Sequence, residues 1–160
     1  MRTITETLIT ELIEQAAQSP RKRTIYRLHE HEEPVQRMIN ALVPGTYITP
    51  HKHGQPPKVE LLSIVRGRVA ALHFTPEGHI AGVYLLDAAG ELRIVDIPPG
   101  EYHCMVALTP CAVLEIVQGP YDAATHKQFA DWAPHEGQPG TETYLQQLEA
   151  HIHHVISEQS

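Results

Sequence analysis

His51, His53 and Glu60 stand close together in the stretch PHKHGQPPKVE, which runs from Pro50 to Glu60. Alternate side chains of a β-strand face the same way, so a strand over 46–53 points His51 and His53 together, along with Tyr47 and Thr49. The Gly-Gln-Pro-Pro portion can be neither helix nor central strand, and it reverses the chain. Glu60 then begins the next strand, with Leu62 and Ile64 on its face. If these strands pair, two imidazoles and a carboxylate converge on one point. A fourth group, His103, follows the turn in PPGEYH, as His51 follows the similar turn at Pro44-Gly45. Imidazole and carboxylate together suit one divalent transition ion: Fe, Mn, Ni, Zn or Cu. Three histidines and one glutamate leave a coordination position open, which makes such an ion catalytic rather than structural alone. Glu60 is then either a ligand only, or a ligand that dissociates and acts as a base.

The elements that must position these groups are short strands. Between residues 24 and 118, nine runs rich in β-formers are separated by turn signals such as Pro44-Gly45, TPEG, AAG and PPG. That pattern predicts an all-β sandwich or barrel. No helical period alternates with the strands, which excludes a parallel α/β sheet. Helices are expected at the two ends. Ile4, Leu8, Ile9, Leu12, Ile13 and Ala16 recur at helical spacing over 3–18, with Thr3 and Glu6 as a capping box and Ser19-Pro20 as the stop. Residues 141–157 repeat the pattern, with Thr141 as the N-cap. Residues 119–140 lack periodicity and read as a loop, in which Trp132 anchors the tail against the barrel. The 160 residues suggest a single domain.

The spacing of the chemical groups resembles the cupin superfamily. The first cupin motif is G-x5-H-x-H-x3–4-E-x6-G, and this chain offers Gly45, His51, His53, Glu60 and Gly67. The departure is the gap from His53 to Glu60, which holds six residues; the extra ones fall in a loop, where insertion is cheap. The second motif is G-x5-P-x-G-x2-H-x3-N. Pro98, Gly100 and His103 fit it, Gly90 lies two positions early, and Ala107 replaces the final Asn. The resemblance covers roughly 35–118. It implies a cupin jelly-roll β-barrel with the metal inside, and dimerisation through edge strands. VQRMINALVPGTYITPHKH and FADWAPHEG are also similar to the WbuC family of cupin-fold metalloproteins, whose members occur beside bacterial surface-polysaccharide genes.

Other residues are weighed against this site. On the strand VQRMINALV, Gln36 and Asn40 share one face and Arg37 the other, so either the amides or the guanidinium line the barrel. Tyr47, Thr49 and Met105 share parity with the histidines and are pocket candidates for substrate binding. Cys104 points the other way and is a buried filler. His29, His31, His73, His79 and the run HIHH at 151–154 are read as outside the metal set.

Composition sets bounds. A net charge of −7 argues against a nucleic-acid partner. No apolar run approaches the ~18–20 residues needed to span a bilayer, and acids interrupt the N-terminal apolar stretch, so a cytoplasmic location is expected. Cys104 and Cys111 make no disulfide framework. The expected function is that of a divalent-metal cupin enzyme acting on a small oxygen-rich molecule, sugar or sugar-nucleotide related, by isomerase, lyase or Fe-dependent dioxygenase chemistry. The alternatives are a non-catalytic sugar-binding sensor or accessory cupin, and a metal-free sugar-nucleotide epimerase.

Overall fold

In the computed structural model, which describes residues 1–158, the alternating apolar pattern resolves into ten strands with a helix at each end. The strands are β1 (Arg23–Arg27), β2 (Val35–Leu42), β3 (His51–Lys52), β4 (Glu60–Arg66), β5 (Arg68–Phe74), β6 (Ile80–Asp87), β7 (Ile94–Ile97), β8 (Tyr102–Ala107), β9 (Cys111–Gln118) and β10 (Gln128–Phe129). The helices are α1 (Glu6–Gln18) and α2 (Thr141–Glu158). One antiparallel sheet has the order β1-β2-β9-β4-β7 and the other β10-β3-β8-β5-β6. This is the expected all-β jelly roll with flanking helices. Among the described residues, the two sheets face each other without a hydrogen-bonded ladder closing them into one barrel. No described helix is long and apolar enough to cross a membrane.

Period-two alternation divides each strand between two environments. In β2, Leu42 packs between the sheets, while Ile39 and Ala41 pack outward against Ile9, Leu12 and Ala16 of α1. In β8, Met105 faces inward with Leu42 and Leu62, while Cys104 and Val106 face Leu145, Leu148 and Ile152 of α2. Each helix thus covers the outer face of one sheet. At about 1.5–3 kcal/mol per fully buried aliphatic side chain, these outer layers add substantially to the core between the sheets.

Several sequence expectations shift. Helix α1 starts at Glu6, and its cap is Thr5, whose extended backbone lets its oxygen accept from the Leu8 N–H at 3.2 Å; Thr3 lies outside it. Thr141 is the first residue of α2, and its hydroxyl donates to the Gln138 carbonyl at 2.7 Å rather than capping the helix N–H groups. The strand expected over 46–53 shrinks to His51–Lys52, and the loop expected over 119–140 contributes β10. His51 and Glu60 do not come together by strand pairing: β3 and β4 belong to opposite sheets and meet across the interior.

Candidate metal centre

Strand β3 brings His51 opposite His103 of β8, and their ring centroids lie 4.6 Å apart. His53 follows one residue after β3, with its ring 5.6 Å from that of His103. Glu60, the first residue of β4, reaches across from the other sheet. The turns ahead of His51 and His103 carry Gly45 and Gly100 at φ +89° and +85°, a conformation costly for any residue with a Cβ. The backbone also joins the two motifs, because the Gly100 N–H donates to the His53 carbonyl at 3.2 Å.

All four side chains are buried. One ligand atom from each lies within 4.8 Å of all the others. Two nitrogens on a common ion at ~2.0–2.1 Å are at most about 4.2 Å apart, so the ligand atoms would draw closer together on binding one. The hydrogen bonds fix the orientation of every ring. Nδ1 of His51 faces the Thr49 carbonyl at 3.0 Å, Nδ1 of His103 faces the Glu101 carbonyl at 2.9 Å, and Nδ1 of His53 faces the His126 carbonyl. A carbonyl only accepts, so each Nδ1 carries the proton. Each ring therefore turns its Nε2 inward. Glu60 Oε2 lies 2.9 Å from Nε2 of both His53 and His103. The contact to His103 is close without the direction of a hydrogen bond, and Nε2 of His51 and His103 have no hydrogen-bond partner. Three Nε2 atoms and a carboxylate gathered in one buried site are a donor set suited to a metal ion. This Nδ1–H to carbonyl arrangement is also the usual way metal-bound histidines are held.

The four groups are electrostatically coupled. Burial holds His51 well below the usual histidine range, which keeps it neutral. Burial alone pushes the Glu60 carboxyl up, but the charge of His103 and the close contacts with His103 and His53 outweigh it and hold Glu60 well below the carboxylate range; Glu60 in turn raises His103 against the effect of burial. The donor set therefore fits a divalent transition ion. His51, His53, Glu60 and His103 would hold it, and the ion would supply Lewis acidity or a site for O2.

The cluster forms part of the wall of a cavity of about 650 Å³ between the sheets. Gln36, Asn40 and Met105, three of the residues singled out from the sequence, line it. Arg37 does not: it is on the other face of β2 and pairs with Glu33. Tyr47 and Thr49 are outside it as well. Residues 46–50 are not a strand, so the alternation that linked them to His51 does not operate. The Tyr47 hydroxyl donates to the Pro134 carbonyl at 2.6 Å, and Thr49 Oγ1 accepts from the Glu136 N–H at 2.9 Å. The 54–58 loop turns away from the cavity, and the buried Lys58 ammonium donates to the Pro120 carbonyl at 2.7 Å.

Other side chains at the site did not stand out in the sequence. Glu115 of β9 lines the cavity, accepts from Asn40 Nδ2, and is pushed up to about 7 by burial and by the charge of Glu60. Its signal was legible: in CAVLEIVQ it occupies the inward register of Cys111, Val113 and Val117. His126, Lys127 and Phe129 enter the site from the segment read as a loop, for which no periodicity existed. That segment forms a strap. β10 pairs with β3, placing Phe129 opposite His51, and Trp132 packs on Phe74 and Tyr102 outside the cavity. The remaining histidines stay apart from the cluster: His29 is buried against the backbone of Arg37, His73 pairs with Glu101, and His151, His153 and His154 are exposed.

Solved structures similar to this chain include cupin-fold proteins. The capsular polysaccharide assembling protein CapF of Staphylococcus aureus is 22% identical, with a TM-score of 0.56, over 69% of this chain and 32% of that one. An oxalate oxidase in complex with the substrate analogue glycolate is 16% identical, with a TM-score of 0.51, over 69% of this chain and 56% of the other. KdgF from a Halomonas species is 16% identical, with a TM-score of 0.50, over 64% and 82%. This chain therefore spans about a third of CapF and just over half of the oxidase. At these identities the likeness establishes the fold. No curated protein matches the chain. A family model matches residues 4–86, just over half of the sequence, and the protein belongs to that family, described as Domain of unknown function (DUF6016).

Proposed function

We propose that this chain is a single-domain, divalent-metal cupin in which His51, His53, Glu60 and His103 hold one ion of Fe, Mn, Ni, Zn or Cu. The observation that carries the reading is the convergence of three Nε2 atoms on a carboxylate, each ring locked by an Nδ1–H to a backbone carbonyl. The ion opens into a cavity large enough for a small oxygen-rich molecule, which favours an enzyme of isomerase, lyase or dioxygenase type. When bound, the ion supplies Lewis acidity or a site for O2. Gln36 and Asn40 offer amide groups to substrate hydroxyls, and Met105 supplies an apolar wall. Glu60 is the anionic ligand and is also placed to accept a substrate proton. The similarity of parts of the sequence to the WbuC family, and of the fold to CapF, a capsular polysaccharide assembling protein, supports a role in bacterial surface-polysaccharide synthesis. A cytoplasmic homodimer built on edge strands completes the proposal; sedimentation as a monomer at micromolar concentration would refute the dimer.

The test is metal analysis of protein prepared without a histidine tag. About one transition ion per chain is expected, lost in His103→Ala. Substoichiometric metal that His103→Ala does not change would sink the reading. An oxygen-consumption screen on the same sample then separates redox from non-redox chemistry.

A further inference from the structure

The cavity is basic although the chain is acidic. The net charge is −7, yet Arg21, Arg23, Arg27 and Lys127, four of its twelve lysines and arginines, line this one pocket. Arg21 and Arg23 are engaged by Glu136, at 2.7 and 2.6 Å. The side chains of Arg27 and Lys127 have no ion pair or hydrogen bond among the described residues. Arg27 is at the exposed rim; Lys127 is half-buried beside the candidate metal cluster, and its charge is felt at His51, His103 and Glu115.

The position of Lys127 is set on both sides. The preceding carbonyl, of His126, accepts from His53, and the next two residues, Gln128 and Phe129, pair with Lys52 and His51. The ammonium therefore projects from a backbone fastened to the strand that carries two of the candidate ligands. A half-buried, unpaired cation is costly to retain unless something anionic meets it. The carboxylates in the same cavity are otherwise occupied: Glu60 lies against two histidines, and Glu115 is bonded to Asn40.

We infer that the substrate of this site is a hydroxy acid whose carboxylate pairs with Lys127 while its hydroxyls reach the amides of Gln36 and Asn40. This rests on the metal-site reading for the location of the chemistry, but the charge argument stands on Lys127. A carboxylate suits the site better than a phosphate, because Lys127 is the one unpaired cation beside the cluster, Arg27 being at the exposed rim and Arg21 and Arg23 held by Glu136, and no helix N-terminus or Gly-rich loop lines the pocket.

The experiment is calorimetric titration of the full-length protein with D-gluconate and with D-sorbitol, its neutral counterpart, with metal content measured on every sample. Gluconate is expected to bind at least about tenfold tighter than sorbitol, the size of a hydrogen bond between charged groups. Lys127→Ala should remove that advantage and leave sorbitol unchanged, while Lys127→Arg retains most of it. Equal affinity for the two polyols, a gluconate affinity indifferent to Lys127→Ala, no detectable gluconate binding, or tighter binding of inorganic phosphate each overturn the inference. Low metal content with an intact Lys127-dependent preference would defeat the metal reading alone; full metal content with no preference would defeat this one alone.

Discussion

Nδ1 of His53 donates to the backbone carbonyl of His126, a hydrogen bond between the candidate metal centre and the strap that crosses it. Whatever loosens the strap therefore also loosens one ligand. The Tyr47 hydroxyl fastens the far end of the strap through the Pro134 carbonyl. Tyr47→Phe leaves that carbonyl without its partner, at a cost of about 1–3 kcal/mol. The variant should melt several degrees lower and release metal to a chelator faster than wild type. Unchanged release would show that the strap does not control ligand orientation.

Three of the twelve histidines should matter for metal. His51→Ala and His53→Ala each remove a buried donor and are expected to abolish stoichiometric loading. Glu60→Gln keeps an oxygen but loses the charge, so affinity should fall by tenfold or more, at least as much as the ~10–100-fold typical of changes in the groups that orient ligands. His73→Ala and His154→Ala remove imidazoles outside the cluster and should leave loading intact. Competition with a chromophoric chelator reads all five.

Glu136 gives the acid stability a specific contribution. Burial opposes its ionisation, but hydrogen bonds from Arg21 and Arg23 win and depress its carboxyl to about 2. An unfolded glutamate titrates near ~4.3. The ion pair therefore stabilises the fold fully above that value, and the contribution is lost as pH falls toward 2. Glu136 is partly exposed, so the effect is modest. Glu136→Gln should lower stability at neutral pH and narrow its difference from wild type as the pH drops through this window, measured by urea melts. A constant difference at every pH would contradict the assignment.

Helix α2 is held by its apolar face. Ile152 is fully buried against the outer side of the β8 sheet. Ile152→Ala should cost about 2–5 kcal/mol, seen as a lower unfolding midpoint, while metal per folded chain stays at its wild-type value. Loss of metal from folded protein would mean that α2 supports the site directly.

The chemistry of the centre was legible because local rules act on it directly. His51 and His53 sit one residue apart, His103 follows a Pro-Gly turn, and turn residues at regular spacing announced an all-β fold. The same alternation placed Cys104 outward and Met105 inward, since β8 is a regular strand. Where the backbone left regular structure, that reasoning lost its phase. Residues 46–50 are irregular, so Tyr47 and Thr49 serve the strap and not the pocket. Which face of β2 lines the cavity depended on what packs against the other side, and α1 settled it by covering Ile39 and Ala41. Glu60 meets the histidines from the opposite sheet, a relation that pairing of neighbouring strands does not provide. The strap itself, with His126 and Lys127, is ordered by long-range hydrogen bonds rather than by any periodicity of its own. Sequence alone pointed to the four candidate donors and determined the kind of fold that carries them. Only the tertiary structure decided how the donors face one another and which charge stands beside them, because those relations join segments far apart in the chain.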